Sequence, residues 1–463
     1  MEGSQGRDAD VVVVGGGPGG YVAAIRAAQL GGKVVLVEEG NLGGTCLNVG
    51  CIPTKALISS VEVLHQAKIA QEFGVRVEGV SADLDAMFAR KDKIVAQLRG
   101  GVELLLKKNG VEVVRGRGKL LPDRVVRVGD RDIRAARVIL ALGSIPTRLN
   151  LPGLADNYIT SDEALSLKEL PKSIVILGAG AIGMEFAHIY NHLGLQVTVV
   201  EMKDEVLPEV DPELGAALAR SFQKRGIKVH TSSTAKEFTI SPEGRKTLLM
   251  STPKGDQKVE ADLVFQAVGR RANTANAGLE ELGLEMARGI ILVDDHLRTN
   301  LPGVYAIGDA VGGAQLAHKA SAEGVVAAEN CRGMDVRMDY SALPGCVYTW
   351  PEIAVVGLTD TQAKEKGYDV RVGRFDFRSL GRAMAIGARE GFVKVVTETR
   401  YGEILGVHII GPHATEIIQE AVAAMRAEAT IDELAHAIHA HPTLPEAIME
   451  AALDAKGEAI HKV

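Results

Sequence analysis

ADVVVVGGGPGGYVAAIRAAQLGGKVVLVEEG, residues 9–40, holds three elements in succession. VVVV at 11–14 is continuously apolar, the pattern of a parallel strand buried on both faces. Gly15, Gly17 and Gly20 then supply the spacing G-x-G-x-x-G, and the residues after them predict a helix. Ala23, Ala24, Ala27 and Ala28 keep that helix slender enough to pack closely. A second apolar strand ends on Glu38, 18 residues beyond Gly20. Glycines at this spacing allow a tight turn and let a pyrophosphate approach the helix N-terminus. There, unpaired N–H groups and the helix dipole favour an anion. An acid at the end of the next strand suits a ribose diol.

The pattern returns at PKSIVILGAGAIGMEFAHIYNHLGLQVTVVEM, residues 171–202. Gly178, Gly180 and Gly183 repeat the fingerprint, and Glu201 again follows the last glycine by 18 residues. One such turn is weak evidence; two, each between a buried strand and a helix and each with its acid, mark an internal duplication. Two dinucleotide sites in one chain imply one tightly held flavin and one exchangeable nicotinamide. A carboxylate at Glu201 repels a 2′-phosphate, so the nicotinamide cofactor is expected to be NAD.

The 463 residues leave room for about three domains. Hydrophobic residues make up 46% and charged residues 24%, an ordinary globular balance. A net charge of −7 gives no basic field for nucleic acid or an anionic membrane surface. The N-terminus MEGSQGRDAD is polar and the continuous apolar runs are only strand-length, so a cytoplasmic location is expected. Residues 56–110 read as helical and 111–144 as short strands. From about 341 the segments PEIAVVGL, VRVGRFDF and GFVKVVTE predict antiparallel strands, and ATEIIQEAVAAMRAE and TLPEAIMEAALDAKGEAI predict helices.

Four cysteines do not make a disulfide framework, yet Cys46 and Cys51 lie close together in GGTCLNVGCIPTK, residues 43–55. Such a pair points to redox or metal chemistry. No second close pair completes a zinc site. In an ideal helix, positions five apart are about 8.7 Å apart, whereas a disulfide needs Cα atoms within about 7 Å. Bonding the pair therefore requires a distorted first helical turn, or Cys46 placed before it. Gly43, Gly44 and Gly50 give the backbone that freedom. A helix N-terminus is also expected to lower a thiol pKa. Cys331 and Cys346 lack such a setting and read as structural.

GGTCLNVGCIPTK after GGGPGG resembles the redox-active disulfide of the pyridine nucleotide–disulfide oxidoreductases. The resemblance extends through ALGS (141–144), GAGAIGMEFA (178–187), AVGRR (267–271), GVYAIGDA (303–310), QLAHKA (315–320) and HAHPTLPE (439–446). CLNVGC, HPTLPE and GRAMAIGAREGFVKVV (381–396) fit the dihydrolipoamide dehydrogenase members best. The resemblance implies an α/β chain with two Rossmann-like domains and a C-terminal α+β dimerisation domain. The expected boundaries are 1–145 and 272–340 for the FAD domain, 146–271 for the NAD domain and 341–463 for the interface domain.

Carried over residue by residue, the resemblance makes Cys46 the outer interchange thiol and Cys51 the inner thiol against the flavin. Gly15, Gly17, Gly20, Glu38, Lys55, Gly118, Ser144, Asp309 and Ala317 would hold one FAD per subunit, with Lys55 paired to Glu185. Gly178, Gly180, Gly183, Glu201, Ala235 and Gly269 would line the NAD site. His441, oriented by Glu446, would be the base, and both would reach the disulfide of the other subunit of a homodimer. The implied partners are lipoyl domains and the acyltransferase core of a 2-oxoacid dehydrogenase complex, or the lipoyl protein of glycine cleavage. No metal site, nucleic acid or membrane is implied.

The histidine also has a physical argument of its own. A dithiol must lose a proton to attack a disulfide, and imidazole titrates in the required range. A carboxylate five residues on, across the turn at Pro442, can fix its tautomer. His436 and His439 read as structural. Trp350, in CVYTWPEIAVVG, is the only tryptophan and stands where the resemblance leads to the expectation of a smaller or polar residue.

Rival activities find less in the sequence. A glutathione reductase-like reading conflicts with Glu201. A mercuric reductase-like one lacks a cysteine pair in AKGEAIHKV. A subunit used only for docking would have no need of both the Cys46–Cys51 and His441–Glu446 sets.

Overall fold

The computed structural model describes residues 6–167 and 169–462. The chain divides into two compact units. The first comprises the chain up to Thr147, a short insert beginning at Ser161, and Gly269–Asp339. The second takes Arg148–Thr160, the segment ending at Val268, and everything from Tyr340 onward.

In the first unit, strand β1 (Ala9–Val14) leads through the glycine turn into helix α1 (Pro18–Gln29) and strand β2 (Val34–Glu38). β1 pairs in parallel with β2 on one side and with Arg131–Leu140 on the other. Glu112–Arg115 extends the sheet beyond β2, and Val304–Ala306 pairs in parallel with the end of Arg131–Leu140. Val11, Val12 and Val13 are fully buried, as the continuous apolar run requires. α1 packs against β1 and β2 through Ala23, Ala24 and Ala27, all fully buried. The predicted helical region is two long helices, one ending at Ile69 and one spanning Leu84–Lys108.

Helix α2 (Gly44–Val49) and helix α3 (Cys51–Ile69) follow β2 with a break at Gly50. Residues 44–73 are long and apolar enough, by length and composition, to cross a membrane. Core helices of water-soluble proteins meet the same measure, and Ala56, Leu57, Ile58 and Val61 are buried in the protein. The sequence reading, which weighed only uninterrupted apolar runs, passed over this stretch because its polar residues are interspersed.

The second unit repeats the motif: strand β3 (Ser173–Leu177), helix α4 (Ala181–His192) and strand β4 (Gln196–Val200). β3 lies between β4 and Leu263–Gln266, all parallel. An antiparallel meander over residues 234–261 follows. The C-terminal part forms a five-stranded antiparallel sheet covered by helices that include Ala414–Arg426. Its central strand Ile404–Gly411, entirely buried, was not among the strands read from the sequence.

Helix α5 (Pro212–Lys224) is tied to this sheet by charge. The Lys394 ammonium, on strand Phe392–Glu398, donates to Asp211, Glu213 and Asp360 at 2.8, 2.7 and 2.8 Å. Burial acts to lower the Lys394 pKa, but the three carboxylates hold it above the ordinary lysine value. Its hydrogen bond with Lys394 takes the Asp360 carboxyl down to about 2. Replacing Lys394 by methionine leaves Asp211, which is fully buried, without its cation. The expected loss is about 3–5 kcal/mol, read as a lowered urea midpoint. Asp360 titrates lower when folded than unfolded, so its contribution is complete above the ordinary aspartate range. It is lost as the pH falls toward about 2, and acid denaturation of the parent should sharpen there.

Candidate active site

The two glycine turns have matching geometry. Gly15 takes φ 105° and Gly178 φ 103°. A Cβ at Gly15 would stand 2.1 Å from the Ala141 carbonyl oxygen, and one at Gly178 2.4 Å from that of Ala267. Gly20 and Gly183 in turn let their helices approach the Gly15 and Gly178 carbonyls. Gly17 and Gly180 cap α1 and α4, and neither helix has a side chain capping its first N–H groups. The Glu38 carboxylate accepts from the amides of Gly16 and Gly40 at 2.5 and 2.6 Å. Glu201 does the same with Ala179 and Lys203 at 2.6 and 2.8 Å. Each carboxylate is thereby fixed at the mouth of its turn with lone pairs left for a diol. Uncapped helix ends, close-packed glycines and a fixed acid fit one pyrophosphate-bridged dinucleotide at each turn.

The cysteine pair is built onto the first turn. The Gly43 amide donates to the Gly16 carbonyl at 2.8 Å, and Gly44 passes so close to Gly17 that a Cβ on it would lie 2.6 Å from the Gly17 Cα. Gly43 and Gly44 both have positive φ, at 91° and 56°. α2 then ends at Gly50, whose φ of −144° and ψ of −115° are not helical, and Cys51 opens α3. Of the two arrangements that the spacing left open, this is Cys46 placed before the helix that Cys51 opens. A side chain at Gly50 would strike the Thr45 carbonyl and the Cys46 Cα, at 2.9 and 3.2 Å. The two sulfurs are not bonded to each other, but they lie within hydrogen-bonding reach. That hydrogen bond, then burial, push the Cys46 thiol well above its usual range, with Lys55 opposing. The lowering expected of a helix N-terminus is outweighed at Cys46 by the neighbouring second sulfur.

A polar network borders the pair in the same unit. The Ser144 hydroxyl donates to Asp309, and Arg270 donates to the Ser144 hydroxyl and carbonyl, both at 2.8 Å. The same guanidinium reaches the Thr45 hydroxyl, next to Cys46, at 3.4 Å. Burial lowers the Arg270 pKa, while Asp162, Asp309 and Cys51 oppose that shift. On helix α6 (Ala317–Cys331), Lys319 and Glu323 form a buried pair at 2.7 Å. Glu323 accepts from the Gly308 amide at 2.6 Å, which holds the turn that carries Asp309. Sequence reasoning missed Arg270, Lys319 and Glu323. The signals were present, in the arginine after Gly269 and in the i,i+4 pair within AHKASAEG. Gly118 packs against Val14 at the end of β1, where a Cβ would stand 2.8 Å from the valine methyl, and Ala317 opens α6. Replacing Arg270 by methionine removes the donors that fix Ser144. Flavin retention in ultrafiltration should fall roughly tenfold, the weight of one charged hydrogen bond.

In the second unit, the His441 Nδ1 lies 2.8 Å from the Glu446 carboxylate, which also accepts from the Thr443 amide at 2.7 Å. The His441 side chain is 77% exposed and that of Glu446 14%. Burial acts to raise the Glu446 carboxyl, but the His441 hydrogen bond and the Thr443 amide hold it below its ordinary value. With Nδ1–H donating to Glu446, Nε2 faces solvent as the acceptor. His439 is instead held under the same loop, between Glu420 at 2.8 Å and the Ala437 carbonyl at 2.9 Å.

The remaining predicted residues are more scattered. Glu185, on α4, accepts from the Tyr348 amide at 3.0 Å. Ala235 packs among apolar neighbours of Phe238 and Leu248 on the meander. Gly269 takes φ 99°, and its carbonyl accepts from Thr147. The Trp350 carbonyl accepts from Arg225, a guanidinium whose pKa burial lowers to about 10. Burial pushes the Cys331 thiol up to about 12.

A model of the pyridine nucleotide-disulphide oxidoreductase family matches residues 9–324, and a model of that family's dimerisation domain matches residues 343–452. The chain is 44% identical to the dihydrolipoyl dehydrogenase of Geobacillus stearothermophilus, over 98% of this chain and 97% of that one. It is 43% identical to the mitochondrial dihydrolipoyl dehydrogenase of Pisum sativum, over 98% of this chain and 92% of the relative. The leghemoglobin reductase of Vigna unguiculata is 43% identical over 96% and 87%. The paired glycine turns, the cysteine pair built onto the first of them, and these matches along nearly the whole length place the chain in the pyridine nucleotide-disulphide oxidoreductase family.

Proposed function

We propose that this chain is a dihydrolipoyl dehydrogenase that oxidises protein-bound dihydrolipoyl groups and reduces NAD. The observation that carries the reading is the break at Gly50, which brings the Cys46 and Cys51 sulfurs together beside the first dinucleotide turn. In the oxidised enzyme the two form a disulfide. A substrate thiolate attacks the Cys46 sulfur, the S–S bond breaks, and Cys51 leaves as thiolate. The second substrate thiol then attacks its own sulfur in the mixed disulfide and releases Cys46, so a lipoyl disulfide forms as the enzyme disulfide is reduced. His441, oriented through Nδ1 by Glu446, takes the proton from the attacking thiol at Nε2. FAD, when bound, would supply a two-electron acceptor for the reduced cysteines, and NAD would supply the exchangeable carrier.

Residues 1–145 and 272–340 are assigned to FAD, 146–271 to NAD and 341–463 to the dimer interface. Lys55 is assigned to the flavin side of the first unit. The dimerisation-domain match and the exposure of His441 support a homodimer in which each histidine serves the other subunit's disulfide. Lipoyl domains of a 2-oxoacid dehydrogenase complex or of glycine cleavage are the proposed substrates.

Alkylation of the holoenzyme tests this directly. Denatured under anaerobic conditions before reduction, the protein should leave Cys46 and Cys51 unlabelled by iodoacetamide. After one equivalent of dihydrolipoamide or NADH, both should be labelled, as mass spectrometry will read. Labelling of both before reduction, or of neither after it, rejects the disulfide relay.

A further inference from the structure

The first unit carries a second concentration of charge, at the end of its parallel sheet opposite the glycine turn. A cavity of about 520 Å³ opens there beside the start of β1 and the strand Val304–Ala306. Arg7, Arg124, Arg137, Arg298 and Arg332 line it, and among the described residues Asp10 is the only acid in its wall. Five guanidiniums converge in this way in a protein whose net charge is −7. β1 is six residues long, so about 20 Å of strand separates this cavity from the fingerprint turn.

The local backbone is arranged to hold the arginines. Asp123 and Arg124 are consecutive non-glycine residues with φ of 59° each. Left-handed backbone costs a non-glycine residue roughly 1–2 kcal/mol, and such strain persists where something is gained by it. Gly303, at φ 78°, leaves the space that the two stems occupy. A Cβ there would stand 3.0 Å from the Arg124 Cδ and 3.4 Å from that of Arg137.

Internal partners only partly satisfy these cations. The Arg124 Nη1 donates to the Pro302 carbonyl at 3.3 Å, while its Nε is buried with no partner. Arg137 donates to the Ala136 carbonyl. Arg332 is 3.8 Å from Asp10, and Arg298 is 3.8 Å from the exposed Asp335. Cys331, also in the wall, is pushed up to about 12 by burial and adds no negative charge at neutral pH. Among the described residues every cation in the wall is arginine, whose planar fork matches phosphate oxygens in pairs.

We infer that this cavity is a binding site for a small polyanion of the diphosphate class, distinct from the two dinucleotide turns. Neither the duplicated motif nor the dithiol chemistry has a use for five guanidiniums at this end of the sheet.

The test is isothermal titration of the FAD-loaded enzyme, held at saturating NAD so that both dinucleotide turns are filled, with inorganic pyrophosphate and separately with ADP. Saturable binding of pyrophosphate, one per chain, is expected at low ionic strength and should weaken steeply with added salt. Arg124→Ala combined with Arg137→Ala should weaken it at least tenfold while lipoamide turnover stays at the parent rate. If that variant does not fold, Arg7→Ala combined with Arg298→Ala reads the same loss. Binding of ADP as well as pyrophosphate marks a nucleotide ligand, and binding of pyrophosphate alone marks a free polyphosphate; either outcome supports the site. Absence of saturable binding at millimolar concentration, equal affinity in both variants, or citrate binding as tightly as pyrophosphate overturns it. Lipoamide turnover in the same samples reports separately on the proposed dehydrogenase function.

Discussion

Replacing Cys46 by serine should lower turnover of lipoamide by at least about 10³-fold, the scale seen when an enzyme loses its nucleophile. Serine keeps the shape of the side chain but cannot form the mixed disulfide or be regenerated by a second thiol. The same variant should still pass electrons from NADH to an artificial acceptor, because that route needs the two dinucleotide turns and not the interchange sulfur. Running both assays on one preparation separates loss of a step from loss of fold. Full lipoamide activity in Cys46→Ser would remove the residue from the mechanism. Loss of both activities would mean that the sulfur is needed for the fold, since α2 is seated directly on the fingerprint loop.

His441→Gln should slow lipoamide turnover by about 10²–10⁴-fold, the usual weight of a positioned base, and leave reduction of the holoenzyme by NADH unchanged. Glutamine can still donate to Glu446, so the loop should survive the change. The pH profile carries the sharper reading. A positioned base gives the parent an acid-side limb in its activity. In the variant that limb should disappear, and the rate should rise with pH as the substrate thiol ionises unaided. Glu446, held below the ordinary carboxylate value, keeps its charge as pH falls through the imidazole range, so the limb belongs to the histidine. Mixing Cys46→Ser chains with His441→Gln chains gives a further check. If each histidine serves the other subunit, hybrid dimers recover one working site from two inactive parents; if the sites are built within single chains, mixing recovers nothing.

What could be read from the sequence was what chain geometry forces locally. Gly15 and Gly178 announced turns because no other residue tolerates φ near 100° so close to a carbonyl. Glu38 and Glu201 announced themselves by falling at the end of the next strand. Helix arithmetic left two ways to join the cysteines, a distorted first turn or Cys46 ahead of the helix, and the break at Gly50 puts Cys46 ahead of the long helix. Contacts across long stretches of chain were not legible. Arg270 meets Ser144 and Thr45 only because Arg270–Ala272 pairs with Ser144–Pro146. Lys394 lies in an apolar strand, and its partners Asp211 and Asp360 lie in other segments. Strand Ile404–Gly411 is buried on both faces, so the alternation that marks half-buried strands is missing from it.

The paired carboxylates have a consequence for how such a chain can change. In each turn, the acid suited to a ribose is also the staple that closes the backbone loop through two amides. Preference and architecture are therefore inherited as one trait. A lineage drifting toward a phosphorylated cofactor cannot merely exchange the acid for a cation. It must also find new acceptors for the Ala179 and Lys203 amides. Duplication supplied two copies of this coupled device, and each copy resists drift for the same reason, so the order of the two cofactors along the chain is expected to outlast much of the surrounding sequence.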